Sequence, residues 1–135
     1  MPRVRVTRRV HFAAGHRLHN PELDESENRA TFGACNNLHG HNYDLDVTVE
    51  GEVDPASGFV IDLGRLRDLV EAVVVRDVDH TNLNEDVEWM RGVNPTAENL
   101  VVQIWRRLEG RLDGATLVHL KLWETERNSV EYSGE

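Results

Sequence analysis

The stretch from His39 to Glu50 limits what this chain can fold into more than any other, because it alternates without a break. His39, His41, Tyr43, Leu45, Val47 and Val49 share one parity, and Asn42, Asp44, Asp46, Thr48 and Glu50 share the other. Side chains two apart on a strand point the same way, so this pattern predicts a strand with one face buried. Residues 4 to 14 follow the same rule. Val4, Val6, Val10, Phe12 and Ala14 oppose Arg3, Arg5, Thr7, Arg9 and His11, with only Arg8 out of place, and His16 continues the apolar parity.

Residues 17 to 38 are polar, are punctuated by Asn, Pro, Asp, Ser and Gly, and have no period; they predict a long loop of the kind that is either functional or disordered. Asp62 reads as the N-cap of a helix burying Leu63, Leu66, Leu69, Val70 and Val73 and stopping near Asp77. Asn94-Pro95-Thr96 caps a second helix, in which Leu100, Ile104 and Leu108 recur beside Val101 and Trp105. Residues 115 to 134 predict two strands joined by a tight turn near Arg127-Asn128, with Val118, Leu120, Leu122 and Glu124 on one parity. The order strand, strand, helix, helix, strand, strand gives an α+β fold over a single domain, residues 1–135. An antiparallel four-stranded sheet would carry both helices on one face. Such a sheet leaves two edges, which neighbouring subunits can close.

Charge and cysteine usage narrow the function. With 15 Lys+Arg against 24 Asp+Glu, the net charge of -9 argues against a nucleic-acid partner. Arg3, Arg5, Arg8, Arg9 and Arg17 nevertheless crowd the first 20 residues without an acid among them, either for a small anionic ligand or as a solvated strand face. Cys35 is the single cysteine and has no intramolecular partner, which suits a reducing cytoplasm. The apolar run around Val70 to Val75 is far too short to span a bilayer and no signal-like stretch opens the chain, so a soluble, unprocessed protein without a membrane partner is expected.

The chemistry-bearing residues begin with His39-Gly40-His41, whose two imidazoles can converge on one ion while Gly40 leaves room beside them. His16 ends the first strand on the same buried parity, so pairing of the two strands would bring a third imidazole to the ion. Three neutral nitrogen ligands favour zinc and leave a fourth position open for chemistry. His11, on the other parity, and His19, in the loop, are alternative third ligands. Cys35, four residues before His39, is either a fourth ligand that closes the site or a base, since a thiol beside a cation favours its thiolate. Asp79-His80 can relay a proton. Glu124, on an apolar parity, needs a donor-rich partner, and the adjacent N–H groups of a guanidine-like ligand edge would match both its oxygens; a solvated strand end is the other reading.

Four ordered motifs together, His11-Phe12-Ala13-Ala14-Gly15-His16-Arg17-Leu18, Cys35-Asn36-Asn37-Leu38-His39-Gly40-His41-Asn42-Tyr43, Asp79-His80 and Trp123-Glu124-Thr125, resemble the 6-pyruvoyl-tetrahydropterin synthase and 6-carboxytetrahydropterin synthase family. The resemblance implies the tunnelling fold (T-fold), with ββααββ subunits assembled as a homohexamer, a dimer of trimers with inter-subunit active sites. It implies Zn2+ on His16, His39 and His41, Cys35 as base, Asp79 with His80 as its relay, and Glu124 as pterin anchor and additional relay group. The implied substrate is 7,8-dihydroneopterin triphosphate, with Arg17 the favoured contributor to its phosphate site.

The spacing of Cys35 to His39 resembles the 6-carboxy branch. That implies loss of acetaldehyde and triphosphate to give 6-carboxytetrahydropterin, in queuosine and deazapurine biosynthesis. Cys35-Asn36-Asn37, Asn42-Tyr43 and the Trp123-Glu124-Thr125 context resemble the pyruvoyl branch, in which triphosphate alone is eliminated. A pterin-binding module without turnover, and a closed structural zinc site that includes Cys35, are further alternatives.

Overall fold

The computed structural model describes residues 2–135. In chain order its elements are β1 (Arg3–His16), α1 (Glu25–Phe32) followed by a 3-10 turn (Gly33–Asn36), β2 (His39–Glu52), α2 (Leu63–Val70), a π-helical turn (Glu71–Val75), α3 (Arg76–Val78), β3 (Thr81–Asn82), a second 3-10 turn (Glu88–Met90), α4 (Ala97–Leu108), β4 (Thr116–Trp123) and β5 (Ser129–Tyr132). The α+β layering expected from the sequence is present. The sheet runs β3-β1-β2-β4-β5 and is therefore five-stranded and mixed, not four-stranded and antiparallel, because β3 pairs in parallel with Ala14 and Gly15 of β1. Two residues are too few to carry a strand period, so nothing in the sequence announces β3.

The two alternating segments pair along their whole length, from Arg3 opposite Glu52 to His16 opposite His39. Phe12, Tyr43, Leu45, Val47 and Val49 are fully buried on the face covered by the helices. On the opposite face the cross-strand partners are complementary. Arg9 holds Asp46 in a two-point ion pair at 2.7 and 3.0 Å, Thr7 meets Thr48 at 2.7 Å, and His11 meets Asp44 at 3.3 Å. Cross-strand pairs of this kind fix register as well as adding stability. The Arg9 guanidinium holds the Asp46 carboxyl below its usual range.

Within β4 the register shifts by one residue, Thr48 facing His119 and Val49 facing Leu117. Val118 is thus the extra residue of a bulge, and Leu117 joins Leu120 and Leu122 in the core where simple alternation puts Val118.

Two corrections concern helices. The supposed loop of residues 17 to 38 contains α1, whose start is a capping box: Asp24 accepts from the Glu27 amide and the Glu27 carboxylate accepts from the Asp24 amide. Apart from Ala30 and Phe32 its residues are polar, so no apolar period reveals it. In the first expected helix Asp62 is indeed the N-cap, accepting from the Gly64 amide at 2.8 Å. The π-helical turn inserts a residue, however, and rotates the helical residues beyond it. Leu66, Val70, Val74, Val75 and Val78 are buried, whereas Leu69 and Val73 are only half-buried and Leu63 is exposed.

Arg107 of α4 stabilises that wide turn by donating to the Val73 carbonyl at 3.2 Å and to Asp77 at 3.4 Å. Its guanidinium lies 5.5 Å from the Trp89 ring centre, and the Trp89 indole also donates to Asp77 at 2.9 Å. Replacing Arg107 by Met keeps the aliphatic stem but removes its hydrogen bonds to the Val73 carbonyl and Asp77, so Arg107→Met is expected to lower stability by ~1–2 kcal/mol in urea unfolding.

Candidate metal centre and active site

The β1–β2 register delivers three imidazoles to one place. His16 lies directly opposite His39, and His41 follows on the same face opposite Ala14. Their ligand nitrogens all lie within 4.8 Å of one another, and the ring centres are 4.6 to 5.0 Å apart. His16 is buried; His39 and His41 are half-buried.

Hydrogen bonds settle which nitrogen is free. His16 Nδ1 lies 2.7 Å from the Pro95 carbonyl and His39 Nδ1 lies 2.7 Å from the Asn37 carbonyl. A carbonyl can only accept, so both Nδ1 atoms carry the proton and both Nε2 atoms present lone pairs. Outer partners of this type orient metal-binding imidazoles. The Pro95 carbonyl is itself held by the start of α4, where Thr96 caps the Asn99 amide and the Asn99 side chain donates to the Asn94 carbonyl.

Burial pushes the His16 and His41 imidazoles below their usual range and so favours the neutral form that binds metal. His16 Nε2 is buried with no hydrogen-bond partner. A buried, unpartnered lone pair at the meeting point of three imidazoles fits a transition metal. The alternatives point elsewhere: His11 pairs with Asp44 on the opposite face, and His19 takes hydrogen bonds from Arg17 and Asn36. Gly40 also faces away from the imidazoles. A Cβ there would meet only the Ala14 carbonyl, at 3.6 Å, in a groove that His41, Asn42 and His80 also line.

Glu124 follows the last residue of β4, with one oxygen 4.0 Å from His16 Nε2. It is partly exposed and turned toward the imidazoles, so neither full burial nor full solvation describes it. Cys35 is exposed on the 3-10 turn and lies outside the three-histidine cluster. The turn is strapped down: the Leu18 amide donates to the Cys35 carbonyl at 2.8 Å, and the buried Asn36 donates to the Leu18 carbonyl at 2.9 Å. Arg17, His19, Arg29, Asn36 and Asn37 line a polar cleft beside it, with Asn84 clamping the Arg17 backbone through both its amide and its carbonyl.

Asp79 and His80 are placed at the other edge of β1. The Ala13 amide donates to Asp79 at 2.9 Å, the His80 amide donates to the Ala13 carbonyl at 2.6 Å, and the two side chains meet at 2.9 Å. The Ala13 amide first, and His80 after it, hold the Asp79 carboxyl below its usual range. His80 has a left-handed backbone, φ 62°, a conformation that costs a non-glycine residue about 1 kcal/mol and is retained here by those bonds. Among the described residues no hydrogen bond links this pair to Cys35. One chain therefore brings His16, His39, His41 and Glu124 together, while His80 lines the groove on the other side of Gly40 that His41 also borders and Cys35 lies outside the cluster.

Alternation alone marks Tyr43 only as a core position. It is fully buried, its ring faces those of His16 and His41, and its hydroxyl is unpartnered. Burial, with the Glu124 charge adding to it, keeps that hydroxyl protonated. A tyrosine on the buried parity, two residues from a metal ligand, is the signal in the sequence that could have found it.

Comparison with known proteins agrees with this geometry. The family model described as 6-pyruvoyl tetrahydropterin synthase matches residues 5–135. Human 6-pyruvoyl tetrahydrobiopterin synthase is 43% identical over 134 residues, covering 98% of this chain and 92% of the human one. The structure of Caenorhabditis elegans 6-pyruvoyl tetrahydropterin synthase superposes with a TM-score of 0.93 at 40% identity, covering 100% of this chain and 98% of that one. The chain belongs to the 6-pyruvoyl tetrahydropterin synthase family, whose reaction is of the lyase type, and shares its T-fold.

The expectation of a 6-carboxy, queuosine-pathway enzyme is overturned. A 6-carboxy-5,6,7,8-tetrahydropterin synthase of Rickettsia bellii is only 27% identical over 146 residues, well below the animal pyruvoyl enzymes. The Cys35–His39 spacing misleads because it counts residues in a surface connection, where length varies at little energetic cost.

The site predicts one equivalent of zinc or cobalt per chain, with cobalt giving the visible spectrum of a four-coordinate ion. His16→Ala should abolish stoichiometric uptake while Cys35→Ala leaves it intact, as measured by metal analysis after desalting.

Proposed function

We propose that this chain is a zinc-dependent 6-pyruvoyl-tetrahydropterin synthase, which eliminates triphosphate from 7,8-dihydroneopterin triphosphate and keeps the carbon side chain. The observation that carries the reading is the convergence of three imidazoles, whose ligand nitrogens lie within 4.8 Å of one another, in a chain 43% identical to the human enzyme over nearly all its length.

His16, His39 and His41 would hold the metal, and zinc, when bound, would supply the Lewis acidity that makes a C–H bond next to the substrate's side-chain hydroxyls acidic. Cys35 takes that proton as a thiolate. Asp79 and His80 relay it, with Asp79 fixing the imidazole orientation through their 2.9 Å contact. Glu124 accepts the paired N–H groups of the pterin edge and serves as a second relay group. Arg17, in the cleft beside the Cys35 turn, takes a phosphate. A base that must remain a free thiol suits a reducing compartment, in keeping with a cytoplasmic location. No described helix is long and apolar enough to cross a membrane.

Among the described residues no hydrogen bond joins Cys35 to Asp79 or His80 within one chain, which is in keeping with an active site built between subunits of a homohexamer, a dimer of trimers. Open strand edges support it too: β3 covers β1 only at Ala14 and Gly15, and β5 pairs on one side alone.

Two experiments test the reading. Zinc-loaded protein given 7,8-dihydroneopterin triphosphate should yield the pyruvoyl product and triphosphate without acetaldehyde, and Cys35→Ala should abolish turnover. A loaded protein that binds the pterin and turns nothing over would be a binding module instead. Second, Cys35→Ala and Asp79→Asn chains, each inactive alone, should recover up to about a quarter of wild-type activity when unfolded and reassembled together, because random mixing gives one site in four both intact groups. No recovery would mean that base and relay act within one chain.

A further inference from the structure

Only two buried side-chain polar atoms among the described residues lack a hydrogen-bond partner, His16 Nε2 and the Tyr43 hydroxyl, and both face the same site. A metal would satisfy the first. The second has no such explanation, and leaving a buried hydroxyl bare is unfavourable, whereas phenylalanine would fill the same space without that cost.

Register shows what stands beside it. Asp44 faces Trp123 across β2 and β4, so continuing the ladder by one residue sets Tyr43 opposite Glu124, on the helix-covered face that Tyr43 shares with His41. On its other side Tyr43 faces Phe12, with the rings stacked at 4.9 Å and 17°. That stack prevents the phenol from swinging away. The phenol ring packs edge-on to the imidazoles of His16 and His41, with centres 6.4 and 5.7 Å away.

We propose that Tyr43 is a positioning residue for Glu124: its hydroxyl donates a hydrogen bond to one carboxylate oxygen when the site is loaded, leaving both oxygens aimed at the paired N–H groups of the ligand. The inference rests on the reading of Glu124 as the pterin anchor. A carboxylate oxygen has two acceptor positions, so one oxygen can take the phenol and a ligand N–H together. Fixing the carboxylate plane in advance removes an ordering cost that the ligand would otherwise bear.

The test compares wild type, Tyr43→Phe, Glu124→Ala and the double variant in zinc-loaded protein, using neopterin fluorescence for affinity and steady-state kinetics for KM and kcat. Tyr43→Phe should unfold at the wild-type temperature or above it, keep full metal content, and bind neopterin about tenfold more weakly. KM should rise more than kcat falls. In the Glu124→Ala background the same change should have no further effect on affinity. Unchanged affinity in Tyr43→Phe, a lowered unfolding temperature with normal binding, as expected for a hydroxyl tied to a buried water, or a full tenfold loss in the Glu124→Ala background would each overturn the inference. Normal neopterin affinity in Glu124→Ala alone would instead overturn the anchor reading beneath it.

Discussion

Everything in this molecule hangs on the antiparallel register of β1 and β2. The ladder of cross-strand pairs that sets Arg9 on Asp46 and Thr7 on Thr48 on one face also sets His16 beside His39 and buries Phe12 against Tyr43 on the other. A slip of one residue would turn the imidazoles to the polar face and the arginines into the core. Register is thus enforced twice, by hydrophobic burial and by charge matching, and the three-imidazole cluster inherits its geometry from that agreement.

One-sided burial also decides how much of the fold is legible in the sequence. Strands announce themselves when one face is buried and the other is wet, and β1 and β2 do so almost without exception; so does α4, with its repeat of Leu100, Ile104 and Leu108. The histidine cluster is legible because it lies on those strands, where parity decides facing. Features set by hydrogen bonds instead of periodicity are not. The helix α1 rests on a capping box and on the buried Asn28, whose amide donates to the carbonyls of Asn20, Leu23 and Asp24. The Val118 bulge and the π-helical turn each change alternation or facing by a single residue, and the two-residue β3 is too short to carry a period. Alternation puts Glu124 on the right face and Val118, on the same nominal parity, on the wrong one, because the bulge lies before Leu120 and the parity beyond it holds.

Chemistry and stability are in tension at the site. Among the described residues the sheet buries two side-chain polar atoms without partners, one imidazole nitrogen and one phenol, against a core of apolar side chains. His80 adds a left-handed backbone at the edge of β1. Each of these departures from local preference involves a residue in or beside the candidate site.

The metal cluster and Cys35 are also held by different means. The imidazoles belong to the longest strand pair, backed by the core. Cys35 rides on a short turn held by a few hydrogen bonds to Leu18 and, through Asn36, to His19. Segments held in that way open at much lower free energy than core strands. The region can therefore exchange its backbone amides with solvent while the three imidazoles stay assembled, which lets a relative lengthen or shorten the connection around Cys35 without rebuilding the sheet beneath it.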